Sequence, residues 1–565
     1  MYNNKNNKMK KINIIVCLSL IFAVSCTDDF NEINEQPDAL SVSDVSAKFF
    51  VTNIQKGLFK PVAGALWFGQ IFHQDQYAGQ HAGGHSQYAW DGNFGWEYTA
   101  WLQEGTNGWL AGYNSSLTSY LKQVGEGGSL ENDQYYAIGL IMKGLYYQLY
   151  TDQVGMIPYS EASDPEIKLP KYDEQIDIYR GVIAELNQAI SLIGSNTTTG
   201  EGVNLLREND VLFNGDMQKW KQLANSLKLR MALRAHGAPG EDFASSAVSE
   251  AISSGVLADS DALFESYNQV SNIWVEHSSY GDIYYGFGDA GQWKVGEPLI
   301  NALSSVNDPR LSLMSKPSAG GTVTLDITEA SDTQLAFLKS TLDNAGLVLD
   351  TDYSWTQTSN DLTITMAENT YHIGLPVRLS PNIKSLFDGN LFSSPADIVV
   401  NKSNEGKDIS PFVVMSAADS HFMIAEAIVK GLASGDAAGH YQTGLEHAMN
   451  LWNTSITSDF SSSNMGKLTG SIDEKLEKIA TQRWIANYTN GYEAWSIVRD
   501  TGFPISAITT STDNSIRSLS GEMNGGYANR LRYISSAYTS NGDNIQSAVA
   551  KQGPDIKTTK LWWAK

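Results

Sequence analysis

Apolar residues recur at the spacing of one helix face in several separate segments of this 565-residue chain. In one segment Trp109, Tyr113 and Leu117 lie four residues apart, and Tyr120 and Leu121 continue the series. Because an α-helix turns once in about 3.6 residues, side chains at this spacing share a face and can be buried together. The pattern predicts a fold built mainly from amphipathic helices.

Further segments show the same helical pattern. Asp216 is a plausible N-cap for a helix that buries Trp220, because a short carboxylate satisfies free backbone N–H groups at a helix start. The other predicted helices start near Ile138 and Ile176 and cover residues 412–430, 439–452 and 472–488.

Neighbouring helices are separated by short polar turns, such as residues 431–438, in the manner of tetratricopeptide repeats. Residues 200–215 and about 315–410 are rich in Ser, Thr, Gly and Asp, which predicts loops with short strands such as Thr322–Leu325. No linker divides the chain. The predicted fold class is therefore mostly α, a single large unit of tetratricopeptide-like helix pairs with long loop insertions and minor β structure.

The N-terminus has the pattern of a secretory signal. Four lysines within the first eleven residues precede an apolar run over residues 12–24, which is too short to span a bilayer as a helix. Cys26 follows small residues and is read as the acylated cysteine of a lipoprotein, with an ordinary secretory cut near Ala23 as the alternative. Cleavage before Cys26 would also remove Cys17, leaving one cysteine.

These features predict three segments. Residues 1–25 would be a lipoprotein signal peptide, residues 26–42 an acidic flexible tether, and residues 43–565 the folded domain. The Asp28-Asp29 pair directly behind Cys26 resembles a surface-export signal of bacterial lipoproteins. The expected location is thus the outer membrane, lipid-anchored and facing the cell exterior.

The charge balance argues against nucleic acid as a partner. Without the four signal lysines the chain has 35 basic and 62 acidic residues, a net charge of −27. Such a field repels polyanions and anionic membrane surfaces.

Two aromatic stretches are candidates for ligand contact. Trp67 to Trp109 and Asn272 to Trp293 mix Trp and Tyr with Gly, Asn, Gln and Asp. Flat rings stack on the C–H faces of sugars while amides and carboxylates pair with hydroxyls. The candidate ligand-binding residues are Trp90, Asp91, Asn93, Trp96, Tyr284 and Trp293. For each ring the alternative is burial in the core, and Trp67 and Trp109, which lie in helical stripes, are predicted to be core.

Metal and enzyme interpretations find little support in the sequence. His73, His81 and His85 invite a zinc site, but Gly83-Gly84 would break the helix needed to bring His81 and His85 together. We find no nucleophile elbow, P-loop or dinucleotide fingerprint, so no cofactor is expected. Two carboxylates for glycoside hydrolysis cannot be recognised by spacing among 62 acidic residues.

Several longer motifs stand out in the sequence: DQVGMIPYSEA at 152–162, GDMQKWKQLANSLKLRMALR at 215–234, NDPRL at 307–311, AEA at 425–427, QRWIANYTNGYEAWSIVRDTGFP at 482–504 and LWW at 561–563. Together these motifs resemble those of the SusD/RagB family. The chain departs from the family pattern at Asp500, where a second arginine is usual, and at His421, where an apolar residue is usual. Ile534 and Ala537 replace an expected proline and glutamate.

The resemblance implies binding without catalysis. Members of the family form a lid over a TonB-dependent transporter of the SusC/RagA type and pass an oligomeric nutrient to it. A neutral oligosaccharide is the expected ligand, a peptide the alternative, and a glycoside hydrolase a more distant one. The motif arginines Arg230, Arg234, Arg483 and Arg499 are predicted to be scaffold residues, partly buried beside Glu161, Glu426 or Glu493.

Overall fold

The computed structural model describes residues 46–59, 65–83, 108–264, 293–400, 411–508, 510–517, 519 and 523–564. The predicted signal peptide and tether lie outside these residues. Contacts divide the chain into two compact units, of which the first comprises residues 1–46 with 201–204 and the second all other residues. In the described part of the first unit, Ser46 donates a hydrogen bond to the side chain of Asn204 over 3.1 Å.

Helices dominate the second unit, as the sequence predicts. In chain order, the helices of eight or more residues are α1 (Lys48–Phe59), α2 (Gly108–Val124), α3 (Asp133–Val154), α4 (Gln175–Ile193), α5 (Met217–Ala235), α6 (Ala244–Ser254), α7 (Glu297–Ser304), α8 (Asp332–Asn344), α9 (Ala417–Val429), α10 (Ala437–Asn450), α11 (Ile472–Ala486), α12 (Gly491–Thr501) and α13 (Ser535–Gln552). A π-helical segment, Ala65–Gln74, and short helical turns complete the set. None of the helices in the described ranges is long and apolar enough to cross a membrane.

The helices pack as neighbours in two groups. In the first group α3 packs on α4, α4 on α5 and α5 on α6; in the second, α9 packs on α10 and α11, and α11 on α12. The predicted N-cap of α5 is confirmed, since Asp216 accepts the backbone N–H groups of Gln218 and Lys219. The predicted turn at 431–438 is confirmed too, because it joins α9 to α10. Within the second unit this arrangement is the predicted one of helix pairs.

Seven short strands form three small antiparallel sheets. The strands are β1 (His81–Gly83), β2 (Ala262–Phe264), β3 (Trp293–Val295), β4 (Gly321–Asp326), β5 (Tyr353–Gln357), β6 (Asp361–Met366) and β7 (Phe412–Met415). β1 pairs with β3, β2 pairs with β7, and the third sheet has the order β4-β6-β5. The predicted helix over 412–430 is therefore wrong at its start: Phe412–Met415 is a strand, and Ser416 caps the helix that follows.

A buried ionic cluster joins three of the family-like motifs. Arg234 of α5 pairs with both Asp152 at the end of α3 and Glu493 of α12. Arg230 and Arg483 share Asp419 of α9, at 2.9 and 2.7 Å. The predicted scaffold role of these arginines and their pairing with Glu493 are confirmed, as is the pairing of Arg483 with Glu426 at 2.9 Å.

Two of the predicted pairings of the arginines are wrong. Glu161 accepts the backbone N–H of Lys171 instead of an arginine. Arg499 donates to the carbonyl oxygens of Asp152 and Asn529 and lies 3.6 Å from the ring centre of Trp495. Because burial outweighs the nearby Asp152 charge, the pKa of Arg499 is lowered to about 9. Main-chain oxygens and an aromatic face thus replace the carboxylate that the sequence suggested for Arg499.

Candidate functional site

The described residues of the candidate site are mainly those that border the two aromatic stretches. Five of the six predicted contact residues, Trp90, Asp91, Asn93, Trp96 and Tyr284, lie outside the described residues. The sixth, Trp293, is described, together with the residues that border both aromatic stretches. These border residues determine where each stretch leaves the helical scaffold.

The segments 84–107 and 265–292, which contain most of the two aromatic stretches, adjoin the same two-stranded sheet in the sequence. Gly83 is the last described residue before 84–107, and Trp293 is the first after 265–292. In the antiparallel register Gly83 lies opposite Trp293, and His81 lies opposite Val295. Opposed residues in such a pair have Cα atoms about 4.5–5.5 Å apart. One end of each aromatic stretch is therefore fixed at the same place, although the two ends lie far apart in the sequence.

Trp293 itself is a buried residue. Only 1% of its surface is exposed, and its ring centre lies 5.0 Å from that of His81. The sequence interpretation assumed an exposed ring at this position, and that assumption is wrong. All three residues of β3 are buried, so the strand packs on both faces and shows no alternation of buried and exposed side chains. Trp293 supports the frame and offers no free ring face in this structure.

Two histidines that had suggested a metal lie in the same buried layer. His81 lies between two rings, with centre distances of 5.0 Å to both Trp293 and Tyr488. Burial lowers the pKa of His81 to about 3, which keeps its imidazole neutral. His73 packs edge-on against Tyr77 at 5.7 Å. His85 lies outside the described residues.

A cluster of three phenylalanines borders the other end of the second aromatic stretch. Phe59 ends α1 before residues 60–64, Phe264 ends β2 before 265–292, and Phe412 begins β7 after 401–410. Their rings meet, with centres 6.0 Å apart for Phe59 and Phe264 and 6.1 Å for Phe59 and Phe412. Phe264 and Phe412 are also direct partners in the β2–β7 register. The sequence analysis missed this cluster, although each phenylalanine is an aromatic residue at the edge of a polar segment.

Below the phenylalanines lies a small concave space. It has a volume of about 20 Å³, and its lining includes Phe59, Phe412, Gln148, Asn490 and Tyr492. This volume suits about one water molecule and is too small for a sugar ring. Its lining also includes the ion-paired Arg230 and Glu493, so the space adjoins the buried ionic cluster.

Trp109, the last residue of the first aromatic stretch, contacts Tyr492 in the lining of this space. Its indole N–H donates to the carbonyl oxygen of Gly57 over 2.6 Å, and its ring centre lies 6.1 Å from that of Tyr492. The prediction that Trp109 packs with the core is confirmed, since it is half-buried against the main hydrophobic cluster. The side chain of Trp67 lies outside the description. Trp109 thus links α2 to α1 and α12.

The comparisons with known proteins agree on one family. The sequence model of a SusD-like family, described as "Starch-binding associating with outer membrane", matches residues 38–343 and 385–520. A solved structure described as a chitin-binding protein superposes with a TM-score of 0.68 at 22% identity, covering 92% of this chain and all of the other. Comparison with the curated proteins found no match.

Two further solved structures are named as SusD homologues. One, from Bacteroides thetaiotaomicron, superposes with a TM-score of 0.66 at 20% identity, covering 92% of this chain and 99% of its own. The other, a chitin-binding homologue from Flavobacterium johnsoniae, has a TM-score of 0.64 at 20% identity, covering 91% and 97%. At such identities these superpositions establish the fold.

Proposed function

Because the chain belongs to the SusD-like family of starch-binding proteins that associate with the outer membrane, we propose that it captures an oligomeric glycan at the cell surface. The family is one of binding proteins, and two of the solved neighbours are named as chitin-binding, so the chain is a binding protein and not an enzyme. The glycan would be passed to a TonB-dependent transporter of the SusC/RagA type. Cys26 would carry the lipid that holds the protein at the outer membrane.

The single observation that carries the proposed site is the pairing of Gly83 with Trp293. It holds one end of each aromatic stretch at a common place, where flat rings and short polar side chains of both stretches could contact one ligand. We assign stacking to Trp90, Trp96 and Tyr284 and hydrogen bonding to Asp91 and Asn93. Trp293 is assigned to the support beneath them.

The test is calorimetric titration with maltoheptaose, chitohexaose and a peptide mixture. The wild type should bind one of the two glycans, and Trp96→Ala should weaken that binding by about 1–3 kcal/mol, the range found for bases stacked on aromatic side chains. This corresponds to an affinity loss of about 5- to 150-fold. Trp355, a half-buried tryptophan on β5, provides the matched control, and Trp355→Ala should bind as the wild type does.

Three results would each overturn one part of this proposal. Titration of the peptides but neither glycan would overturn the glycan assignment in favour of peptide capture. Equal affinity of Trp96→Ala and the wild type would overturn the assignment of Trp96 to the site. Release of shortened oligosaccharides that a single Asp or Glu substitution abolishes would overturn the binding-only function.

A further inference from the structure

Three histidines meet between α9 and α10, in a part of the fold that the proposed glycan site does not use. His421 comes from α9, and His440 and His447 come from α10, two turns apart on one helix face. The Nδ1 atoms of His421 and His440 are 3.0 Å apart. The ring of His447 is nearly parallel to that of His421, with centres 5.5 Å apart. His421 is the position where the family-like pattern has an apolar residue.

The distance between the two Nδ1 atoms is similar to the separation of two nitrogen ligands bound to one metal ion. Nitrogen ligands about 2.0 Å from a metal are about 2.8 Å apart at a right angle and about 3.3 Å apart at the tetrahedral angle. The observed 3.0 Å is closer to the right angle. Right-angled nitrogen and oxygen coordination is typical of Cu²⁺ and Ni²⁺, and Cu²⁺ binds most tightly in the divalent series.

The surroundings of the histidines would favour a cation. Asp259 acts on His421 and Asp436 acts on His440, and each carboxylate opposes the lowering of the histidine pKa by burial. Asp261, whose carboxylate accepts the backbone N–H of Ala417 over 2.8 Å, interacts electrostatically with His447. Each of the three imidazoles therefore interacts with one acidic side chain, while His440 and His447 themselves help to lower the pKa of His421.

His421 also interacts with the backbone of Ala258, and this interaction opposes the lowering of its pKa by burial. His421 is 8% exposed, whereas His440 and His447 are half-buried, so an ion could reach the pair from solvent.

We propose that His421 and His440 form a two-nitrogen site for a divalent copper or nickel ion, with His447 beside it. No group of three or more His, Cys, Asp or Glu side chains in the described ranges is arranged to hold an ion as it stands. The remaining positions around the ion are therefore assigned to water. In the metal-free pair one of the facing Nδ1 atoms carries a proton, and on metal binding that imidazole would carry its proton on Nε2 instead.

The test titrates CuCl₂ into the full chain without a histidine tag at pH 7.5. We expect one equivalent of Cu²⁺ to bind. His440→Gln and His421→Phe should each lose this equivalent, and His421→Phe keeps the apolar packing that the family pattern has here. His372→Gln is the matched control, because His372 contacts Ser315 and lies outside the cluster.

Electron paramagnetic resonance provides a readout that folding alone would not change. The bound Cu²⁺ should show coupling to two imidazole nitrogens, which His440→Gln reduces to one or none. The proposal is overturned if the wild type binds no Cu²⁺ at micromolar concentration. It is equally overturned if folded His440→Gln and His421→Phe retain the same equivalent, since other histidines would then be the ligands.

Discussion

Asp152→Asn tests whether the buried ionic cluster holds the family-like motifs together. One carboxylate oxygen of Asp152 accepts from the Tyr179 hydroxyl over 2.6 Å and from the Trp563 indole N–H over 2.8 Å. The other accepts from Gln148 over 2.7 Å and from the Arg234 guanidinium. Asparagine has the same shape but replaces one oxygen by an NH₂ group. In either orientation this group would face a side chain that can only donate, Trp563 or Arg234.

The expected cost follows from these contacts. Hydrogen bonds to charged groups contribute about 1.5–3 kcal/mol each, and the substitution removes the charge from all four and replaces at least one by a contact between two donors. Removing one partner of a buried ion pair typically costs about 3–5 kcal/mol. Arg234 retains Glu493, which limits the loss. We therefore expect Asp152→Asn to lower the free energy of unfolding by about 3–5 kcal/mol.

Guanidinium unfolding followed by tryptophan fluorescence would measure this loss. Asp177→Asn is the control, because Asp177 faces solvent near Arg180 on α4, and its unfolding midpoint should match that of the wild type. Tyr179→Phe should also cost less in the Asp152→Asn background than alone, since the two residues share a hydrogen bond. A loss below about 1 kcal/mol for Asp152→Asn would refute the argument, because Asp152 would then not act as a shared anion.

Two further predictions distinguish the buried Trp293 from the proposed ligand-contact residue Trp96 and test lipid anchoring at Cys26. Trp293→Ala should lower the free energy of unfolding by about 3–5 kcal/mol because it leaves a cavity. Trp96→Ala should not change the melting temperature. A normal melting temperature of Trp293→Ala would contradict the burial of this ring. Cys26→Ala should move the protein from the membrane to the soluble fraction, because each buried CH₂ of an acyl chain contributes about 0.8 kcal/mol to anchoring. Persistent membrane association of Cys26→Ala in cells without the transporter would contradict lipid anchoring.

The helical part of the fold could be predicted because helix formation leaves a local signal. The stripe from Trp109 to Leu121 lies in α2, and the Asp216 cap starts α5, since both depend on residues within a few turns of each other. The strand β7 could not be predicted in the same way. Its sequence FVVM is a short apolar run that fits a strand or a buried helix equally well. Its partner β2 decides the matter from about 150 residues away.

The ion pairs show a similar limit of sequence reasoning. Composition indicated that Arg230, Arg234 and Arg483 need buried acids, but it could not distinguish Glu161 from Asp152 in the same motif. The chain turns at Gly155, whose φ of +93° favours glycine, and this turn separates the two acids. Asp152 remains in the last turn of α3, within reach of Arg234, while Glu161 lies beyond the turn.

The candidate site depends both on local composition and on contacts between distant parts of the chain. Aromatic and polar composition identified two stretches of the chain, because stacking and hydrogen bonding to sugars require those residue types. Composition could not establish that the stretches belong together, and it placed Trp293 on the ligand side of the site. The register of β1 and β3 brings together described residues that adjoin the two stretches, since Gly83 lies opposite Trp293. The burial of Trp293 against His81 at this junction is a tertiary property that composition does not encode.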